Sequence, residues 1–219
     1  MDPFASERAE MVEHQLRRRG IRDERVLAAM AKVLRHHFVP EDQLQRAYWD
    51  GPLPIGNGQT ISQPYVVALT CELMEIGENA KVLEIGAGSG YAAAVLGELA
   101  NRVISIERLP ELAQLARDNL AKAGYTNVEV LCTDGTRGCK EQAPFDAIAV
   151  AAGAPAVPES LKQQLKVGGR LVIPVGPSRR LQDLVRVRRV SETEFQTEDL
   201  GGVAYVPLVG AEGWEDGEY

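Results

Sequence analysis

Residues 82–91, Val-Leu-Glu-Ile-Gly-Ala-Gly-Ser-Gly-Tyr, constrain this chain more than any other stretch. An apolar run carries Glu84 and is then broken by three glycines at alternate positions, Gly86, Gly88 and Gly90. Glycine lets a backbone turn tightly and lets a ligand approach the main chain without a Cβ in the way. The helical pattern Tyr91 to Ala100 follows at once. A helix N-terminus behind such a turn offers free N–H groups and a positive dipole end to an anionic group. A second apolar strand, Arg102 to Ile106, runs into Glu107, 23 residues beyond Glu84. An acid at the end of the second strand can accept from both hydroxyls of a ribose. A strand-turn-helix whose glycines serve turn geometry alone leaves both acids unexplained.

The spacing separates two nucleotide ligands. A dinucleotide loop reads G-x-G-x-x-G. Here the order is E-x-G-x-G-x-G, from Glu84 to Gly90. That form resembles the S-adenosyl-L-methionine site of Rossmann-like methyltransferases, and the resemblance implies that cofactor.

The rest of the chain is patterned to match. Residues 6–32 read as two helices, the first with Met11, Val12 and Leu16 on one face and Gly20 as its stop. Asp23 caps the second, whose apolar positions are Val26, Leu27, Met30 and Val33. Residues 34–63 form a long irregular stretch rich in Pro and Gly, and Pro64 then suits the first turn of a helix to about Met74. Strands are expected at 81–86, 102–106, 128–132, 145–151, 169–175, 182–190 and 194–206, with helices at 90–100, 110–123 and about 158–166. Such alternation means a mostly parallel, doubly wound α/β sheet with helices on both faces. The last two strands follow each other without a helix, which predicts an antiparallel C-terminal hairpin. The expectation is one domain over 1–219: N-terminal helices and a covering loop to residue 63, a Rossmann-like core over 64–210, and an acidic tail over 211–219, loose beyond Trp214.

Composition narrows the partners. The 219 residues carry a net charge of −7. An extended nucleic-acid surface shows a basic excess, so nucleic acid is disfavoured. The three cysteines, Cys71, Cys132 and Cys139, are widely spaced and form no C-x-x-C, so neither a zinc site nor a disulfide framework is expected. No apolar run approaches the ~20 residues that span a bilayer. The polar start, Met-Asp-Pro-Phe-Ala-Ser-Glu-Arg, lacks the apolar stretch of a signal peptide. A cytoplasmic protein, off the membrane and monomeric, is expected.

Candidates for chemistry are few. Thr133-Asp134-Gly135 follows the third strand at the sheet's carboxyl edge, where open α/β sheets bind ligands. Asp134 suits either an adenine amino group or an Asx turn. The strand 145–151 ends in Ala151-Ala152-Gly153-Ala154-Pro155. Many nitrogen methyltransferases have a polar-Pro-Pro-aromatic turn there, so an amine acceptor of that type is disfavoured. No Cys follows a Pro, which disfavours pyrimidine carbon methylation. His14, His36 and His37 read as packing residues rather than bases, and Tyr48 and Trp49, flanking Asp50, as lid or packing residues. Ser62, in Gly58-Gln59-Thr60-Ile61-Ser62-Gln63-Pro64, is either a helix N-cap or a reaction-centre hydroxyl.

These segments together resemble the protein-L-isoaspartate O-methyltransferases. The resemblance rests on Gly20-Ile21-Arg22-Asp23, Arg35-His36-His37-Phe38-Val39-Pro40, Ala47-Tyr48-Trp49-Asp50 and above all Thr60-Ile61-Ser62-Gln63-Pro64. Leu165 to Gly176 and Val206-Pro207-Leu208 complete it, over roughly residues 8–214. Leu34 stands where the family usually has Pro, and 182–206 match only loosely.

The resemblance implies methyl transfer from S-adenosyl-L-methionine to the free α-carboxylate of L-isoaspartyl residues in damaged proteins and peptides. The ester then collapses to a succinimide. A carboxylate of pKa ~3.9 is already ionised at neutral pH and needs no general base. By the same resemblance Ser62 stands at the reaction centre, with Gln59, Thr60 and Ile61 lining the cofactor. Glu84, Gly86 and Gly88 hold its methionine end, Glu107 the ribose and Asp134 the adenine, and Arg108 and Gly135 bind the cofactor with them. A small-molecule or RNA acceptor, or a non-catalytic S-adenosylmethionine-binding module, remains as an alternative.

Overall fold

The structure is a computed structural model that describes residues 2–179 and 181–217. The chain opens with α1 (Ala5–Glu10), which continues through a wider helical turn at Met11–Leu16 and a tighter one at Arg17–Arg19. Gly20, at φ +104°, ends it. Asp23 then caps α2 (Glu24–Lys32), its carboxylate accepting from Arg25 N at 2.8 Å and Val26 N at 3.4 Å. Such a cap is worth about 1 kcal/mol.

The stretch expected to be irregular contains a hairpin, β1 (Leu53–Gly56) paired antiparallel with β2 (Gln59–Ile61). Its turn is Asn57-Gly58, both at positive φ, the conformation in which a two-residue turn matches strand twist. Leu53, Ile55 and Ile61 point into the core. α3 (Pro64–Met74) follows, with Pro64 in its first turn.

The main sheet has seven strands: β3 (Lys81–Ile85), β4 (Arg102–Glu107), β5 (Val128–Cys132), β6 (Phe145–Val150), β7 (Leu165–Val175), β8 (Gln182–Arg189) and β9 (Phe195–Val203). Their spatial order is β5-β4-β3-β6-β7-β8-β9. The first five are parallel, while β8 and β9 run antiparallel to their neighbours. Strand order reverses between β3 and β6, so a crevice opens beyond their carboxyl ends. The helices α4 (Tyr91–Leu99), α5 (Pro110–Lys122) and α6 (Glu159–Gln163) connect the strands.

Successive strand residues alternate between two cores, as a period of two requires. Val82, Val103, Ala147 and Val172 enter one, with the N-terminal helices, α3, α4 and α5. Leu83, Ile104, Ile148 and Leu171 enter the other, which Leu161, Leu165 and Leu208 help to close. The helical cover expected on both faces is therefore uneven, since the second face has only α6 and short turns.

Three boundaries differ from expectation. The helix expected to reach residue 166 stops at Gln163, and β7 begins at Leu165, which is in register with Phe145 before the register shifts. β9 ends at Val203, and the chain beyond it crosses to Gly153, where Gly153 N donates to Val206 O and Leu208 N to Gly153 O, both at 2.8 Å. The tail is held as far as Trp214, whose indole N–H donates to Gly153 O at 2.9 Å, and Glu212 accepts from Ser160 N at 3.0 Å. Beyond Trp214, Arg179 donates to Glu215 O and Arg108 pairs with Asp216 at the surface; residues 218–219 lie outside the described part.

Candidate active site

The glycine turn is built by its neighbours. Gly86 N and Ala87 N both donate to Ile106 O, which bends the chain back over β4. A Cβ on Gly88 would come within 3.1 Å of Ile55 Cδ1, so the hairpin lies directly over the turn. A Cβ on Gly90 would meet Ala116 O at 3.2 Å, so close packing of α4 on α5 needs glycine there. Asn119, on α5, donates to Ser89 O at 3.0 Å and clamps the turn from below.

Over this turn lies a cleft of about 200 Å³. Three separate parts of the chain wall it: the hairpin end 57–62, the turn 85–92 with 106–109, and 206–209 beside Ala151 and Ala152. It contains most of the residues expected from sequence, namely Gln59, Thr60, Ile61, Ser62, Gly86, Gly88, Glu107, Arg108 and Gly135.

The three acids have three different environments. Glu107 is 7 % exposed and lines the cleft. One of its oxygens accepts from Gly88 N at 2.9 Å and the other from Leu109 N at 3.0 Å. A carboxylate has about four lone-pair sites, so each oxygen keeps one for a ligand hydroxyl.

Glu84 does not line this cleft. It is buried beneath the turn, accepts from Ser105 Oγ, and faces a smaller cavity of about 30 Å³. Burial pushes its carboxyl up to about 7, against the lowering effect of the Ser105 bond. Glu84 thus lies behind the turn, on the wall of the smaller cavity.

Asp134 stands next to Gly135, which lines the cleft. It is absent from the cleft wall, and its carboxylate accepts from Thr136 N and Oγ1 at 2.9 and 2.7 Å and from Ala211 N at 2.9 Å. Burial opposes ionisation there, but the Ala211 and Thr136 bonds outweigh it and hold the carboxyl below the usual range. The Asx-turn reading fits this geometry, and it extends to tying down the tail.

Ser62 borders both the cleft and the smaller cavity. It is not a helix cap. The capping position of α3 is Gln63, and no side chain caps that helix. Gln63 Nε2 instead donates to Asp50 Oδ1 at 2.7 Å, and Asp50 pairs with Arg19 at 2.8 Å. The loop expected to carry lid residues is thus pinned beside Ser62. Tyr48 is buried, its hydroxyl 2.8 Å from His36 Nδ1, and Trp49 is exposed with Arg46 stacked on its ring.

Sequence reasoning missed several lining residues, including Ser89, Ala151 and Val209. Ser89 is the most informative. Its hydroxyl is buried, borders the cleft and has no hydrogen-bond partner among the described residues. Buried polar groups are rarely left unpaired, so this one points to a polar ligand. An orphan hydroxyl, a glycine turn open to backbone contact and an acid with spare lone pairs fit S-adenosyl-L-methionine. Among the described residues, no group of His, Cys, Asp and Glu could hold a metal ion, and no helix is long and apolar enough to cross a membrane.

Comparison with known proteins places the chain in a family. Residues 6–213 match the family model described as protein-L-isoaspartate(D-aspartate) O-methyltransferase. The chain belongs to this family. A protein-L-isoaspartate O-methyltransferase of Methanoculleus marisnigri is 57% identical over 214 residues, 98% of this chain and 96% of that one. One from Rhodopseudomonas palustris is 56% identical over 95% of both chains. A solved protein-L-isoaspartate O-methyltransferase superposes with a TM-score of 0.86 at 29% identity, over 94% of this chain and 67% of that one. A Plasmodium falciparum protein assigned to the same activity was crystallised with S-adenosyl-L-homocysteine. It superposes with a TM-score of 0.80 at 26% identity, over 92% of this chain and 98% of that one. Membership of the protein-L-isoaspartate O-methyltransferases makes this an S-adenosylmethionine-dependent enzyme of isoaspartyl repair.

Proposed function

We infer that this chain methylates the free α-carboxylate of L-isoaspartyl residues in damaged proteins and peptides, with Ser62 at the acceptor. One observation carries the residue assignment: Ser62 lies where the cleft meets the hairpin and has no capping duty. When bound, S-adenosyl-L-methionine supplies a methyl group on a sulfonium. Glu107 accepts from the ribose hydroxyls, Gly86 and Gly88 leave room for close backbone approach, and the Ser89 hydroxyl bonds a polar atom of the cofactor. Gln59, Thr60 and Ile61 cover it, Arg108 and Gly135 border it, and Glu84 shapes the floor behind Ser62.

The acceptor carboxylate arrives ionised, so no residue need take a proton. Ser62 donates its hydroxyl hydrogen to that carboxylate and aims it. Alignment and exclusion of water then supply much of the rate. Residues 206–208, opposite the hairpin, hold the peptide's backbone. The chain acts as a monomer in the cytoplasm, where its three free cysteines stay reduced.

The test is methyl transfer to one peptide made in isoaspartyl and normal aspartyl forms. A base-labile ester on the isoaspartyl form alone is expected; transfer to both or to neither refutes the substrate assignment. Ser62→Ala is expected to lower turnover about tenfold with cofactor affinity kept, as loss of one hydrogen bond to a charged group implies. Equal loss of both would remove Ser62 from the acceptor site.

A further inference from the structure

Behind Ser62, away from the cleft, lies the smaller cavity of about 30 Å³. Its polar lining includes Ser62, Thr70 on α3 and Tyr205 from the segment after β9. Tyr205 is half-buried, and its phenol meets the Thr70 and Ser62 side chains at this cavity. This tyrosine is held from outside the cavity. Gln182, itself buried, accepts from Tyr205 N at 2.9 Å and donates to Tyr205 O at 3.2 Å. The Gln182 amide is seated against Gly153, where a Cβ would lie 2.4 Å from its Cδ. This two-way amide clamp fixes the Tyr205 backbone.

Hydroxyl chemistry sets a direction on this arrangement. A serine hydroxyl has one hydrogen and two lone pairs. If Ser62 spends its hydrogen on Tyr205, none remains for an acceptor carboxylate. If Tyr205 donates to Ser62 Oγ, the Ser62 hydrogen is free to face the cleft. A phenol, with an ordinary pKa of about 10, keeps its proton at neutral pH and can be the donor of this pair. Thr70 can donate in turn to the Tyr205 oxygen, and such chains polarise each successive hydroxyl.

We propose that Tyr205 is a positioning residue for Ser62: the Gln182-clamped phenol donates to Ser62 Oγ and turns the serine hydrogen toward the acceptor carboxylate. The chain runs Thr70 to Tyr205 to Ser62 to substrate. It rests on the placement of Ser62 at the acceptor. It also makes the segment after β9 part of the reaction centre as well as of the peptide-binding wall.

The experiment is a double-mutant cycle in methyl transfer to an isoaspartyl peptide, with calorimetric affinity for S-adenosyl-L-homocysteine and thermal midpoints measured alongside. Tyr205→Phe removes only the hydroxyl. It is expected to lower kcat/KM about three- to tenfold, the worth of one hydrogen bond, with affinity for S-adenosyl-L-homocysteine unchanged. In the Ser62→Ala background the same substitution is expected to have no further effect, because the coupled partner is gone. Thr70→Val is expected to act in the same direction by a smaller factor, and it stands in if Tyr205→Phe does not fold. An equal loss in both backgrounds, or wild-type kcat/KM in Tyr205→Phe, overturns the proposal while leaving Ser62 in place. A wild-type rate in Ser62→Ala overturns the Ser62 assignment first and this proposal with it.

Discussion

Glu107 offers the sharpest quantitative test, because its carboxylate has two separable tasks. It receives Gly88 N and Leu109 N, which shapes the turn, and it presents spare lone pairs to the cleft. Two charge-assisted hydrogen bonds to ribose hydroxyls, at about 1.5 kcal/mol each, amount to about 3 kcal/mol. Glu107→Ala should therefore raise the Kd for S-adenosyl-L-homocysteine about 100-fold. Distortion of the turn would also weaken binding, so the assay needs a second ligand. Calorimetry with a 2′,3′-dideoxyribose analogue separates the two. The wild-type protein should bind the analogue about 100-fold more weakly than the parent ligand, by the same arithmetic. Glu107→Ala should bind both ligands alike. If the variant still distinguishes them as the wild type does, Glu107 does not hold the ribose, whatever it does for the turn.

Two other acids make contrasting predictions. Asp134→Ala removes the acceptor for Ala211 N and Thr136 N. It should lower stability by about 1–2 kcal/mol in chemical denaturation and leave S-adenosyl-L-homocysteine affinity intact; a large loss of affinity would restore Asp134 to the adenine. Glu84, raised to about 7 by burial, favours the folded state most when protonated. That contribution is complete below the ordinary carboxylate range and is lost as pH rises through about 7. Glu84→Gln, which stays neutral, should thus gain thermal stability relative to wild type between pH 5 and about 8; a constant difference across that window would contradict the raised carboxyl.

The sheet was legible because its strands are short apolar runs set between helical patterns and turn residues. Val82/Leu83 and Val103/Ile104 divide between two cores as alternation demands. The hairpin was missed although Asn57-Gly58 is a strong turn signal, since strands of four and three residues are too short to stand out and Pro54 argues against a strand. The order of the tail could not be read locally, for its partners, Thr136, Ser160 and Gly153, lie more than 50 residues away. Within the site, the glycine turn, Glu107 and the Thr60–Ser62 run were visible, because adjacent residues define them. The orphan hydroxyl of Ser89 and the cavity-facing hydroxyl of Tyr205 were not, because burial and neighbours decide what each does.

Ser62 shows how long-range structure settles a choice that local chemistry leaves open. A serine two residues before a helix-starting proline has the composition of a cap. But Pro64 has no N–H to satisfy, and the capping position falls to Gln63, whose amide is drawn away to Asp50. Asp50 is in turn held by Arg19, which also stacks on Tyr65 at 3.8 Å. That network spans the N-terminal helix, the loop before the hairpin and the start of α3. It fixes the chain on both sides of Ser62 without using the Ser62 side chain. The hydroxyl is thus left where the cleft meets the smaller cavity that Thr70 and Tyr205 also line.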